Sequence, residues 1–215
     1  MSAGVWPRVR RTAYALSGSW AQLRAAMAGF PDGTVFLLDD LWGFGTQWIK
    51  KGAYLLPQGG EQSIVRDRLD GVSTTATTLG PVSGYTSPVI PWPDLMAVPG
   101  FSIVTEVGGF RSSPQTAQPV TVNTGSLWPS DDQGLVALQV TNNLAGINAR
   151  GLVQWLSPTT YVRCTGNNAF GNAPIAVDTR PLSNITAASA ITLLAKTGGA
   201  GETINFSRIQ VRYRA

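Results

Sequence analysis

Apolar positions recur in three different ways along this chain, and each way predicts a different kind of structure. From Phe101 onward the pattern is strict alternation in short stretches: FSIVTEV, PVTVN, GLVALQVT, GLVQWLS, TTYVRCT, PIAVD, AITLLAK and TINFSRIQVRYR. A period of two is the mark of a strand with one face in a core. About eight such strands, spaced by roughly 8–15 residues with Gly, Asn and Pro between them, predict an antiparallel β-sandwich of jelly-roll-like layout. In the last stretch Ile209, Val211 and Tyr213 alternate with Arg208, Gln210, Arg212 and Arg214, so one face is apolar and the other strongly basic. Ile204 and Phe206 have the opposite parity, which predicts a bulge near Ser207-Arg208.

Near the N-terminus the spacing is helical. Trp20, Leu23, Met27 and Phe30 fall on one stripe, Ser17 or Ser19 can cap its start, and Gly29 with Pro31 stops it. The spacing predicts a short helix over 19–28, its stripe a plain packing surface. After the Pro31-Asp32-Gly33 turn, an apolar strand over 34–38 closes at Asp39-Asp40. Strands over 46–49 and 53–56 flank Lys50-Lys51-Gly52, which is hairpin punctuation. Such a unit buries too little surface to be stable alone and must lean on a neighbour.

In the third pattern periodicity fades. Residues 61–70 are the most charged segment and read as a short helix or an exposed strand. Residues 71–99 are rich in Ser, Thr, Gly and Pro, and prolines 81, 88, 91, 93 and 99 argue against any regular element. That segment reads as an extended linker, with Tyr85, Ile90 and Trp92 packing on something. The expected organisation is a basic arm (1–12), a small α+β attachment module (13–70), a linker (71–100) and a β-sandwich head (101–215).

Within the module, GTVFLLDDLWGFGTQWIKKGAYLLPQGG resembles a small unit found repeatedly in bacteriophage tail and fibre proteins. The matching positions are Gly33, Asp39, Trp48, Gly52, Tyr54 and Pro57, with Tyr54 standing where a Trp is often seen. The resemblance covers roughly an eighth of the chain and implies virion assembly, the module acting as connector rather than as a site of chemistry. A chain ending within its last strand is also similar in layout to the terminal heads of trimeric fibres and spikes.

Charged residues make up only 13% of the chain, against 43% hydrophobic. Neutral polar residues must therefore keep the surface soluble, and flanks of low charge suit burial against further copies of the chain. The chain has no histidine and one cysteine, Cys164. Ser-His-Asp and Cys-His pairings, imidazole metal sites and intramolecular disulfides are thereby excluded. Cys164, in an alternating stretch, reads as a buried core thiol. No apolar run is long enough to span a membrane, and the arginine-bearing start lacks the continuous apolar core of a signal peptide. The net charge is +4. Arg8, Arg10, Arg11 and Arg24 all precede the first acid, Asp32. Trp6, Arg8, Arg10 and Arg11 are the candidate docking residues, pairing with carboxylates on a capsid, portal or tail surface. The arm is too thin a footprint for nucleic acid.

Enzymatic acid–base chemistry would fall to carboxylates, Lys or Tyr. Asp131-Asp132 follows Trp128, but two adjacent residues rarely converge on one bond, whereas glycosidases set carboxylates ~5–10 Å apart on different elements. Within residues 101–215, Glu106, Asp178 and Glu202 complete the supply, and the acidic pair reads as a solvated turn. Trp128, Asn167, Asn168, Phe170 and Asn172 are candidate glycan contacts, since amides match hydroxyls and aromatic faces stack on sugar rings, although the asparagines also make ordinary turns. The expectation is a non-catalytic, homo-oligomeric virion protein, trimeric by resemblance, with no cofactor. Its partners would be itself, other virion proteins and a host-surface glycan. The competing expectation is a monomeric carbohydrate-binding module or lectin.

Overall fold

The computed structural model describes residues 15–112, 118–124, 134–140, 146–166, 176–185, 187–197 and 199–215. In chain order the elements are β1 (Leu16–Gly18), α1 (Trp20–Ala26), β2 (Val35–Leu38), β3 (Thr46–Lys51), β4 (Tyr54–Pro57), β5 (Glu61–Arg68), β6 (Ser73–Thr74) and β7 (Gly80–Thr86). Then follow α2 (Trp92–Met96), β8 (Ser102–Ser112), β9 (Gln118–Thr124), β10 (Gly134–Val140), β11 (Gly146–Ser157), β12 (Thr160–Gly166), β13 (Ala176–Pro181), β14 (Ile191–Ala195) and β15 (Thr203–Arg214). Each of the eight alternating stretches is a strand, β8 to β15.

The molecule is mainly β, a β-sandwich with a small sheet at one side. One layer is the four-stranded sheet β10-β9-β14-β7; the other is β13-β12-β11-β8-β15-β5, with β6 also on β15. The pairs β8–β15 and β9–β14 are nested, first strand with last and second with second-last, as a jelly-roll-like layout requires. β10 and β13 instead pair with their sequence neighbours β9 and β12 and form the outer edges. The third sheet, β1-β2-β3-β4, belongs to the N-terminal module, where β1 pairs parallel to β2 and β2–β3–β4 form a meander.

β15 carries the predicted bulge. Its register against β8 slips between Phe206 and Arg208, which lets Phe206 and Ile209 both face the core. Gly109 faces this bulge on β8, where a Cβ would collide with the backbone carbonyl of Asn205. Only glycine lets the two backbones approach so closely. The inward residues Ile103, Val107, Val211 and Tyr213 join Ile191 and Leu193 of the opposing sheet in one buried cluster.

Two expectations are corrected. Residues 71–100 are not a linker free of regular elements: they supply β6, β7 and α2, with Val82, Tyr85, Ile90, Trp92, Leu95 and Met96 all buried. The prolines fit because β7 lies at a sheet edge, where a missing N–H costs nothing, and Pro93 sits in the first turn of α2. Residues 61–68, grouped with the attachment module, are a strand of the large sheet, paired along β15.

Candidate functional site

The module needs a neighbour, and it finds one in its own chain. Ser19 caps α1: its side chain accepts from the Gln22 N–H while Gln22 Oε1 accepts from the Ser19 N–H at 2.9 Å, a reciprocal box. The cap sets Trp20 on the inner face. Trp20, Trp42 and Trp48 then pack edge to face, with ring centroids 5.0–5.8 Å apart, and Trp48 lies 6.0 Å from Tyr213 of the last strand. Each such pair adds about 0.5–1.5 kcal/mol beyond the area it buries. Polar ties fix the orientation: the Trp20 backbone N–H donates to Asp40, and Trp20 Nε1 donates to Asp94 Oδ2 of α2 at 2.6 Å. Tyr213 Oη donates to the Leu95 carbonyl at 2.8 Å, and burial pushes its phenol well above the ordinary range.

Beside this junction runs an apolar groove of about 480 Å³ whose walls include Trp20, Leu41, Trp42, Pro88 and Val89, with Asp40 among the few polar groups. Leu41 is 85% exposed, Phe44 in the same loop 76% and Val89 58%. They are three of the five large apolar side chains exposed among the described residues. Contiguous exposed apolar surface marks a contact site in a soluble protein. The Asp40 carboxylate already serves the Trp20 N–H, so the groove offers contact rather than acid–base chemistry.

The six residues of the resemblance all lie in the module sheet or its turns. Gly33 and Gly52 have φ of +88° and +59° and make the turns around β2 and β3. Trp48 is fully buried and pairs with Pro57 across the β3–β4 register; Tyr54 pairs with Lys51. Asp39 is exposed, and its backbone N–H donates to the Gly18 carbonyl at 3.0 Å. The carboxylates that organise the module are instead Asp40, just past β2, and Asp32, in the turn before it. Asp32 accepts from Lys50 Nζ at 2.5 Å and from the Gly52 N–H at 3.0 Å, and these bonds hold its carboxyl below the ordinary range.

The arm residues Trp6, Arg8, Arg10 and Arg11 lie outside the described residues, as do Trp128, Asp131, Asp132, Asn167, Asn168, Phe170 and Asn172. Cys164 sits on β12 opposite Leu152 and Val177, and Asp178 on β13 opposite Arg163; their side chains are outside the described ones. The other candidate carboxylates are bound to arginines. Glu202 is buried against Arg111 at 2.5 Å, and Glu106 accepts from Arg212 at 2.9 Å. Among the described residues, no cluster of three His, Cys, Asp or Glu side chains could hold a metal ion.

No protein-family model and no curated protein matches the sequence. Solved structures with partial likeness include the CBM2 module of the evolved Dit of Lactobacillus casei BL23 phage J-1. It is 12% identical with a TM-score of 0.35, over 66% of this chain and 74% of that one. Lectin II from Ulex europaeus is 13% identical, with a TM-score of 0.40 over 86% of this chain and 100% of that one. The Lotus tetragonolobus seed lectin is 12% identical, with a TM-score of 0.36 over 74% and 89%. At scores this low the likenesses carry no argument about ligand or activity.

Proposed function

We propose that this is a non-catalytic structural protein of a bacteriophage particle, a homotrimeric fibre, spike or decoration protein. The N-terminal arm and module attach it to other virion proteins, and the sandwich projects outward toward the host surface. The protein is made in the host cytoplasm and resides in the virion. The observation that carries this reading is the apolar groove at the module–sandwich junction, lined by the exposed Leu41 and Val89, with Phe44 exposed in the same loop as Leu41. In a chain with so little surface charge, an apolar rim of this kind is best covered by another copy of the chain. The resemblance of residues 33–60 to a phage fibre unit points the same way. The pairing of Glu106 and Glu202 with arginines supports a non-catalytic role.

Sedimentation velocity on the full chain and on a Leu41→Ser/Phe44→Ser variant tests the reading. Both substituted side chains are exposed, so the fold is retained. The wild type is expected to sediment as an oligomer and the variant as a smaller species. Equal sedimentation of the two as monomers overturns the assembly reading.

A further inference from the structure

The outer face of the large sheet carries a second groove, of about 280 Å³, that the assembly reading does not use. Its side chains are set by strand register. Leu152 and Val104 face each other across β11 and β8 as a half-exposed apolar strip. Arg150 pairs with Glu106 on one side of the strip, and on β15 Arg212 and Arg214 stand opposite Val104 and Ser102. With strands ~4.8 Å apart and ~3.4 Å per residue, Arg150 and Arg214 mark opposite corners ~17 Å apart.

The charges alternate but do not balance. Arg212, at the centre, donates NH2 to Glu106 at 2.9 Å and NH1 to Glu61 at 3.4 Å, which clamps its plane. Its Nε has no acceptor among the described residues. Arg214 reaches Glu61 at 2.6 Å, and Arg150 comes only to 3.6 Å from Glu106. The Arg150 and Arg214 side chains are 64% and 67% exposed. Three guanidiniums bring about five donors each, and the two carboxylates already share their oxygens among them. The surplus at both corners is donor capacity suited to a carboxylate, which guanidinium recognises through paired hydrogen bonds. The strip between the corners offers contact to ring C–H groups, and Ser102 and Gln154 at the groove's edge offer neutral hydrogen bonds to hydroxyls.

We infer that this groove binds a short saccharide bearing carboxylates, of the uronic-acid class, with Arg150 and Arg214 engaging the acid groups and the Leu152–Val104 strip lying beneath the ring. An acidic peptide lacks the hydroxyls and flat ring edges that the centre of the groove accommodates. The site lies on the sheet face opposite the core and is independent of the assembly groove.

The test is calorimetric titration of the full chain with oligogalacturonate, with its methyl-esterified form and with oligoglutamate, repeated with Arg150→Gln/Arg214→Gln. An Arg68→Gln/Arg208→Gln variant serves as control, since these arginines lie on β5 and β15 beyond the groove. Expected are binding of oligogalacturonate that weakens with salt, at least about tenfold loss in the groove variant, no loss in the control, and loss on esterification. No binding, equal binding of the ester, equal binding of oligoglutamate, or equal loss in both variants overturns the inference. The oligomeric mass of the groove variant should remain that of the wild type, so failure here is distinguishable from failure of the assembly reading.

Discussion

Trp48 joins the module to the sandwich through its contact with Tyr213. It is fully buried, donates Nε1 to Thr46 Oγ1 at 2.7 Å, and packs against rings from α1, the β2–β3 loop and the last strand. Trp48→Ala is expected to lower stability by about 3–5 kcal/mol in urea denaturation of the full chain. A loss under about 1 kcal/mol would show that the three rings do not act as one cluster. The Arg111–Glu202 pair sits inside the sandwich, both side chains at most 3% exposed. Arg111→Met removes the guanidinium held 2.5 Å from the buried Glu202 carboxylate and should cost about 3–5 kcal/mol in the same denaturation. Glu61 gives a pH signature. The hydrogen bond from Arg214 leads in holding its carboxyl below the ordinary value of 4.5, against partial burial and with help from the Arg212 charge. A depressed folded value means that the stabilisation is present above the unfolded pKa and is lost as pH falls through the folded one. The difference in urea midpoint between wild type and Glu61→Gln should therefore be seen at neutral pH and shrink as pH falls below the ordinary carboxyl value of 4.5. A difference that stays constant down to about pH 3 contradicts the assignment.

At the scale of elements, Gly109 and the bulge in β15 form one device. Gly109→Ala places a methyl group against the Asn205 carbonyl, where backbone rather than a movable side chain must give way. It should lower the thermal midpoint clearly more than Gly146→Ala, whose Cβ would meet nothing within 4 Å; equal effects would show that the close approach is not needed. The bulge was legible from sequence because apolar parity flips between Phe206 and Ile209, and parity is what a pleated strand reports. The same signal found all eight strands from β8 to β15, and the Ser19 cap and the stop after it found α1. Residues 71–100 were illegible for a physical reason. Proline removes a donor wherever it stands, but edge strand β7 and the first turn of α2 leave that donor unused, so composition misread packed elements as a connector. The junction was half legible. The tryptophans stood out, whereas Asp40 and Asp94 act through tertiary contacts 20 and 74 residues from Trp20 that no local pattern announces. The polar groove depends on the mutual register of β5, β8, β11 and β15, and alternation in one strand cannot supply it.

For the whole molecule, the account joins a module too small to stand alone to a sandwich that supports it. It leaves an apolar groove at their junction and a basic groove on the opposite sheet face. The module's partner is its own chain, so shared cores between subunits are not needed to stabilise it. The proposed oligomer rests on the exposed Leu41 and Val89 of the groove and on Phe44 in the same loop as Leu41. A homotrimeric virion protein and a monomeric sugar-binding protein part on stoichiometry. The most direct measurement is the mass of the unaltered full chain by light scattering at roughly 10–50 μM, above the dissociation constant of a stable interface. The account predicts a mass about three times the 22.8 kDa of one chain. A folded species of 22.8 kDa throughout that range would contradict it.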